Sequence, residues 1–82
     1  MAFKIYLRRV YPDTVESGCT YVDIEYRDDV RVISMTKTYK LAYTNYSDVQ
    51  SVKNMVKDER DRLNQMYSIR DMLVTFIDQE IT

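Results

Sequence analysis

The first half of the chain alternates apolar and polar residues with the two-residue period that is typical of half-buried β-strands. Pro12, which cannot donate to a strand ladder, ends the first alternating run, and Gly18 precedes the second. The polar pair Asp28 and Asp29 indicates a turn after that second run. The pattern therefore predicts three antiparallel strands, at residues 3–11, 20–27 and 30–43.

The alternation of the third predicted strand slips by one residue near its start. Val30 and Val32 share one phase, whereas Ile33 and Met35 share the other. One extra residue in a strand moves all later side chains to the opposite face. We therefore expect a β-bulge near Val32 and Ile33.

The second half of the chain has the apolar spacing of an amphipathic helix and contains no Gly or Pro from residue 47 to residue 82. Ser47 followed by Gln50 fits a capping box, in which each side chain satisfies a free backbone N–H of the other. We therefore expect the helical half to begin at Ser47.

Whether this half is one helix or two is the main question that the pattern raises. Five consecutive charged residues, 58–62, interrupt the apolar stripe, and Ser68 with Asp71 forms a second capping box that Tyr67 and Met72 could staple. One helix over residues 47–81 would be about 52 Å long, more than three short strands can cover. We expect two helices that break near Tyr67 and Ser68. The alternative is one long helix, which favours a dimer.

These elements predict an α+β fold, in which a three-stranded antiparallel sheet is covered on one face by a C-terminal helix pair. We expect a single domain over residues 1–82, with the sheet in residues 1–46 and the helices in residues 47–82. Substitution of Leu73 by Asp is expected to unfold it, because Leu73 belongs to the predicted core. That core comprises Phe3, Ile5, Leu7, Val22, Ile24, Val52, Val56, Leu63, Leu73, Phe76 and Ile77.

Composition argues against an enzyme. The chain has no His, one Cys and one Gly, which excludes His-dependent triads, cysteine metal clusters within one chain and glycine-rich phosphate loops. The only Cys, Cys19, has Glu16 nearby, and a carboxylate raises rather than lowers a thiol pKa. We expect no catalytic residues, no metal and no cofactor.

The same composition bears on location and on partners. A single Cys permits no intrachain disulfide, which favours a reducing compartment. No long apolar run and no signal-peptide pattern are present, so we expect a cytoplasmic chain without membrane contact. With 12 Lys and Arg against 13 Asp and Glu, the net charge is −1, which is typical neither of a nucleic-acid mimic nor of a polycation.

Tyrosine is the least ordinary feature, at eight of 82 residues. Tyr offers a large rigid contact area with a polar tip and is favoured at protein interfaces. Asp23 and Glu25 fall on the same predicted outer face of the sheet as Tyr6, and they would repel phosphates. We therefore expect a protein partner. The predicted partner-binding residues are Lys4, Tyr6, Arg8, Arg9, Tyr21, Arg31, Tyr39 and Lys40.

These observations favour a non-enzymatic protein-binding module, a small adaptor or inhibitor that occupies a partner's surface. In its general appearance, poor in Gly, free of His and rich in Tyr, the chain resembles small phage or mobile-element inhibitors of host machinery, such as anti-defence proteins. One alternative is a nucleic-acid-binding protein that uses the Tyr, Lys and Arg side chains of the sheet. The other is a structural oligomer subunit, for instance a homodimer.

Overall fold

A computed structural model of the chain describes residues 3–82 and has an α+β fold. The three predicted strands pair in one antiparallel sheet in the order β1-β2-β3, and one helix, α1, follows them. The α+β class and the three-stranded sheet are confirmed, but the predicted helix pair is wrong and the single-helix alternative fits. The elements are β1 Lys4–Pro12, β2 Cys19–Asp28, β3 Ile33–Ala42 and α1 Val49–Val74.

The core lies between α1 and one face of the sheet, here called the inner face. Even-numbered residues of the central strand β2 point into it, and Tyr26 is completely buried. Its hydroxyl lies 2.9 Å from that of Tyr39, so both polar tips are satisfied inside the core. Burial raises the pKa of Tyr26. The buried apolar residues are Phe3, Val22, Ile24, Tyr26, Leu41, Val56 and Leu63.

The phase slip after β2 is a turn and not the predicted bulge. Val30 and Val32 lie in the connection, Val32 has a φ of 56°, and β3 begins only at Ile33. The Asp28 carboxylate accepts hydrogen bonds from the backbone N–H groups of Val30 and Arg31, at 3.0 and 3.1 Å. Asp28 thus closes the turn in the manner of an Asx turn.

A bulge does occur, but in β1. The register between β1 and β2 shifts between Leu7 and Arg9, so that Arg9 pairs with Asp23 and Val10 pairs with Val22. An unbroken two-residue period would place Val10 on the outer face with Tyr6 and Arg8. The bulge turns Val10 to the inner face and brings Arg9 to the outer one.

The N-cap of the helix lies one residue later than predicted. Asp48 is the N-cap, and its carboxylate accepts a hydrogen bond from the backbone N–H of Ser51 at 2.8 Å. The predicted capping box of Ser47 and Gln50 is therefore wrong. Gln50 instead donates to the side chain of Asn54, one turn along the helix.

The helix does not break at Ser68, because the neighbouring side chains are used to hold it on the sheet. Asp71 accepts hydrogen bonds from Arg31 of the β2–β3 turn, at 2.6 and 2.9 Å. The Tyr67 ring packs against Phe3, with ring centroids 5.4 Å apart, and does not staple onto Met72. These contacts stabilise a helix that continues without a break through Ser68.

The run of charges also fits within the continuous helix. Glu59 faces β3 and is bonded to Lys37, and it accepts two hydrogen bonds from Arg62, at 2.6 and 2.8 Å. These hydrogen bonds from Arg62 and then Lys37 lower the pKa of Glu59 to about 2. A half-buried carboxylate with two cationic partners is compatible with packing on a sheet.

Part of the predicted core is not buried. Leu73, Phe76 and Ile77 are exposed by 51%, 50% and 66%, and Leu7 by 59%. Because α1 runs past the end of the sheet, its last turns have no strand beneath them, and the molecule measures 55 × 22 × 22 Å. The prediction that Leu73 is buried is wrong, and with it the reason to expect that Leu73→Asp unfolds the chain.

Candidate protein-binding face of the sheet

The face of the sheet opposite α1, here called the open face, combines tyrosines, arginines and carboxylates. Strand pairing fixes its composition, because Cα partners in an antiparallel sheet point to the same side. Tyr6 pairs with Glu25, Arg9 with Asp23, and Tyr21 with Lys40. The open face comprises Lys4, Tyr6, Arg8, Arg9, Tyr11, Tyr21, Asp23, Glu25, Arg27, Ser34, Thr36, Thr38 and Lys40.

Tyr6 lies at the centre of a guanidinium cluster on this face. The guanidinium carbons of Arg8 and Arg27 lie 4.7 and 4.5 Å from the centre of its ring. Arg27 Nη2 also donates to the Tyr6 hydroxyl at 3.1 Å. Such cation–π contacts hold the ring and both arginines in one arrangement before any partner arrives.

A second aromatic cluster lies at the other end of β1. The Tyr11 and Tyr21 rings stack across the two strands, with centroids 5.4 Å apart and planes inclined by 23°. The Arg9 guanidinium lies 4.4 Å from the centre of the Tyr11 ring. The open face thus carries two Tyr–Arg clusters along one strand.

Carboxylates of β2 neutralise the arginines between these clusters. Arg8 bonds Glu25, with its Nη2 2.6 Å from Oε1, and Ser34 donates to the other carboxylate oxygen at 2.5 Å. The hydrogen bonds from Ser34 and then from Arg8 lower the pKa of Glu25. Arg9 is held more loosely, with its Nε 3.9 Å from Asp23. The side chains of Arg9 and Lys4 are 68% and 66% exposed, so these two cations of the face are the most accessible to a partner.

Lys40, at the edge of the face, is engaged by the β1–β2 connection. It bonds Glu16 and lies 3.7 Å from Asp13. The hydrogen bond with Lys40 lowers the pKa of Glu16, and the same bond raises the pKa of Lys40. The pairing folds the connection over this end of the face, so Lys40 has less freedom to meet a partner.

The structure brings six of the eight predicted binding residues to the open face, namely Lys4, Tyr6, Arg8, Arg9, Tyr21 and Lys40. It places the other two elsewhere, which corrects the prediction. Tyr39 points to the inner face, because it pairs with Val22. Arg31 lies in the turn and bonds Asp28 and Asp71, with a side chain only 10% exposed.

Two residues of the Tyr–Arg clusters, Arg27 and Tyr11, were absent from the predicted binding residues. Arg27 continues the alternation of Asp23 and Glu25, so the period of β2 could have revealed it. Tyr11 shares the face only because of the bulge near Arg8, which no residue of β1 signals.

Three further observations concern metal binding, membrane spanning and the thiol of Cys19. Among residues 3–82, no group of three Cys, Asp or Glu side chains could hold a metal ion. No helix there is long and apolar enough to cross a membrane. Cys19 donates to Glu16 at 3.4 Å, and burial followed by this bond raises the pKa of the thiol.

Comparisons with protein-family models, with curated proteins and with solved structures give no match to this chain.

Proposed function

We propose that the chain is a non-enzymatic protein-binding module, a small adaptor or inhibitor that occupies a partner protein through the open face. The observation that carries the proposal is the pair of Tyr–Arg clusters along β1. Tyr and Arg are the residue types that most often supply the binding energy of protein interfaces. Because the rings and guanidinium groups already hold each other, little side-chain entropy remains to be lost on binding.

The charge arrangement favours a protein over a nucleic acid as the partner. The carboxylates of Asp23 and Glu25 stand in the central strand, directly beside Arg9 and Arg8. A phosphate at either arginine would meet a carboxylate within a few ångströms, whereas a protein can offer cations and anions in alternation. Inhibition of host machinery by a phage or mobile-element protein is one form of such binding.

The test is capture of proteins from a cell lysate by three forms of the tagged chain, in parallel runs with and without nuclease. The face variant is Tyr6→Ala with Arg9→Ala. The matched control is Tyr43→Ala with Arg60→Ala, because Tyr43 is 70% exposed and both residues lie outside the open face. Circular dichroism first confirms that all three forms are folded.

We expect one protein to be retained by the wild type and the control but lost by the face variant. Equal retention by the face variant would contradict binding through this face, and so would the absence of any specific capture. Capture that requires nucleic acid and falls steeply with salt would contradict the proposal in favour of the nucleic-acid alternative, since counterion release drives such binding.

A further inference from the structure

An apolar groove runs between α1 and the inner face of β1. It has a volume of 530 Å³. Leu7 and Val10 form its outer wall and are exposed by 59% and 60%, since one helix covers only part of the inner face. Lys53 lies at its rim. The residues used below to define the groove are Leu7, Val10, Val22, Val52, Lys53 and Val56.

A second apolar surface lies at the far end of the molecule. Ile69, Leu73, Phe76 and Ile77 are all at least half exposed there, at the spacing of helix residues that dock in grooves. Backbone bonds from Phe76 N to Leu73 O and from Ile77 N to Val74 O continue the turn beyond α1. These four apolar residues are here called the apolar tail.

A molecule cannot place its own tail in its own groove. Val52, in the groove, and Leu73, in the tail, stand on the same helix, and the helix separates them by about 32 Å. Large exposed apolar patches of this kind mark interaction sites. Each molecule therefore has one groove and one tail that only another molecule can cover.

The charges around the two surfaces are complementary. Lys53 at the groove rim and Lys57 one turn further are exposed, and neither has an ion-pair partner within residues 3–82. Around the tail, Asp78 and Glu80 are acidic, and residues 71–82 contain no Lys or Arg. A basic rim and an acidic tail would orient the docking.

We infer that two copies of the chain form a two-fold dimer in which the apolar tail of each lies in the groove of the other. A two-fold dimer contains the same tail–groove contact twice. Both tails and both grooves are then occupied, so none is left to build a filament. The two helices lie antiparallel in this arrangement. The open face takes no part in the contact, so the dimer would present two copies of it.

Sedimentation equilibrium over a wide range of concentration tests the inference with two disruptive variants. Ile77→Asp disables the tail and Val10→Asp disables the groove, and each replaces a residue that is at least 60% exposed, so the fold is retained. We expect each to raise the dimer dissociation constant by at least about ten-fold. Val15→Asp, at a position 94% exposed outside both surfaces, is the matched control and should dimerise like the wild type.

Mixing the two disruptive variants gives the decisive result. A pair of Val10→Asp chains has no intact contact, and neither has a pair of Ile77→Asp chains. A mixed dimer retains one intact contact, because the tail of the Val10→Asp chain fits the groove of the Ile77→Asp chain. We therefore expect the mixture to associate more tightly than either variant alone.

Three outcomes would overturn the inference. One is a wild type that stays monomeric at all concentrations. Another is a dimer that Val10→Asp leaves unchanged, which would mean that tails contact tails. The third is a mixture that associates no better than its components. The capture experiment on the open face is independent of all three.

Discussion

At the scale of single residues, Arg31 shows how burial decides a role. Its side chain bonds Asp28, which is 2% exposed, and reaches Asp71 of the helix. Its guanidinium also lies 5.6 Å from the centre of the Tyr67 ring. The hydrogen bonds with Asp71 and Asp28 raise the pKa of Arg31. One arginine thus joins the β2–β3 turn to the far end of α1.

Removal of this arginine should destabilise the fold strongly. Arg31→Ala would leave the buried Asp28 carboxylate without its cation, and a broken buried pair costs about 3 kcal/mol or more. Urea denaturation measures the loss in the free energy of unfolding. Lys4→Ala is the control, because the Lys4–Asp29 pair is exposed and is expected to contribute less than about 1 kcal/mol. Equal losses in the two variants would contradict the role of Arg31.

At the scale of elements, the continuity of α1 depends on its contacts with the sheet. Its contacts with the rest of the fold lie on both sides of Ser68, at Tyr67 with Phe3 before it and at Asp71 with Arg31 after it. The Asn64 side chain also accepts a hydrogen bond from the backbone N–H of Phe3 at 2.9 Å. A break at Ser68 would lose the contacts beyond it.

Two alanine substitutions distinguish one helix from two. Asp48→Ala removes the N-cap of α1 and should lower the free energy of unfolding by about 1 kcal/mol. Ser68→Ala should raise it by a few tenths of a kcal/mol, because Ala is the better residue inside a helix. Thermal or urea denaturation measures both. If Ser68 capped a second helix, its replacement would instead cost about as much as that of Asp48.

The bonds of Glu59 predict a pH dependence of stability. Its pKa is lowered from 4.5 to about 2 by folding, so its contribution is complete above pH 4.5 and is lost as the pH falls towards 2. Glu59→Gln should cost on the order of 1–2 kcal/mol at pH 7, after allowance for solvent screening. The difference from the wild type should shrink as the pH falls through this window. Urea denaturation at a series of pH values measures it.

Asp58→Asn provides the control for Glu59→Gln. Asp58 is the exposed neighbour in the same run of charges and has no ion pair within residues 3–82. The Asp58→Asn substitution removes one negative charge from the helix and leaves the bonds of Glu59 with Lys37 and Arg62 intact. A loss at pH 7 as large as that of Glu59→Gln would mean that net charge, and not these bonds, is responsible.

At the scale of the whole molecule, one helix is too narrow and too long for the sheet beneath it. It leaves Leu7 and Val10 uncovered beside it and carries Phe76 and Ile77 beyond the last strand. A chain of this size buries only about 60–65% of the surface that its unfolded form exposes. The apolar surface that stays exposed at both ends therefore lowers the stability of a monomer substantially. Dimerisation would bury this surface.

Dimerisation predicts that the melting temperature depends on protein concentration. Because only the folded chain dimerises, a higher protein concentration should raise the Tm of the wild type. The Tm of Ile77→Asp should depend much less on concentration than that of the wild type, because its dimer is weaker. Scanning calorimetry at several concentrations measures this. A wild-type Tm that does not move with concentration would contradict the dimer.

Much of the sheet could be predicted from the sequence, because the two-residue period of a strand depends only on neighbouring residues. The alternation of Val22, Ile24 and Tyr26 against Asp23 and Glu25 identified β2 and both of its faces. With the faces known, most of the candidate binding residues followed. Arg31 and Tyr39 did not, since a two-residue period says nothing of where a turn ends or how a strand begins after it.

The sequence by itself determined the α+β class, the three strands and the apolar face that they share, because strand period and helix period are properties of neighbouring residues. Only the tertiary structure decided that Ser68 lies within one helix, that a bulge turns Arg9 outward, and that Leu73 and Ile77 have nothing beneath them. Each of these depends on what lies opposite a residue in space. Capping and stapling motifs near Ser68 were outweighed by the contacts of Tyr67 and Asp71 with residues more than 39 positions away.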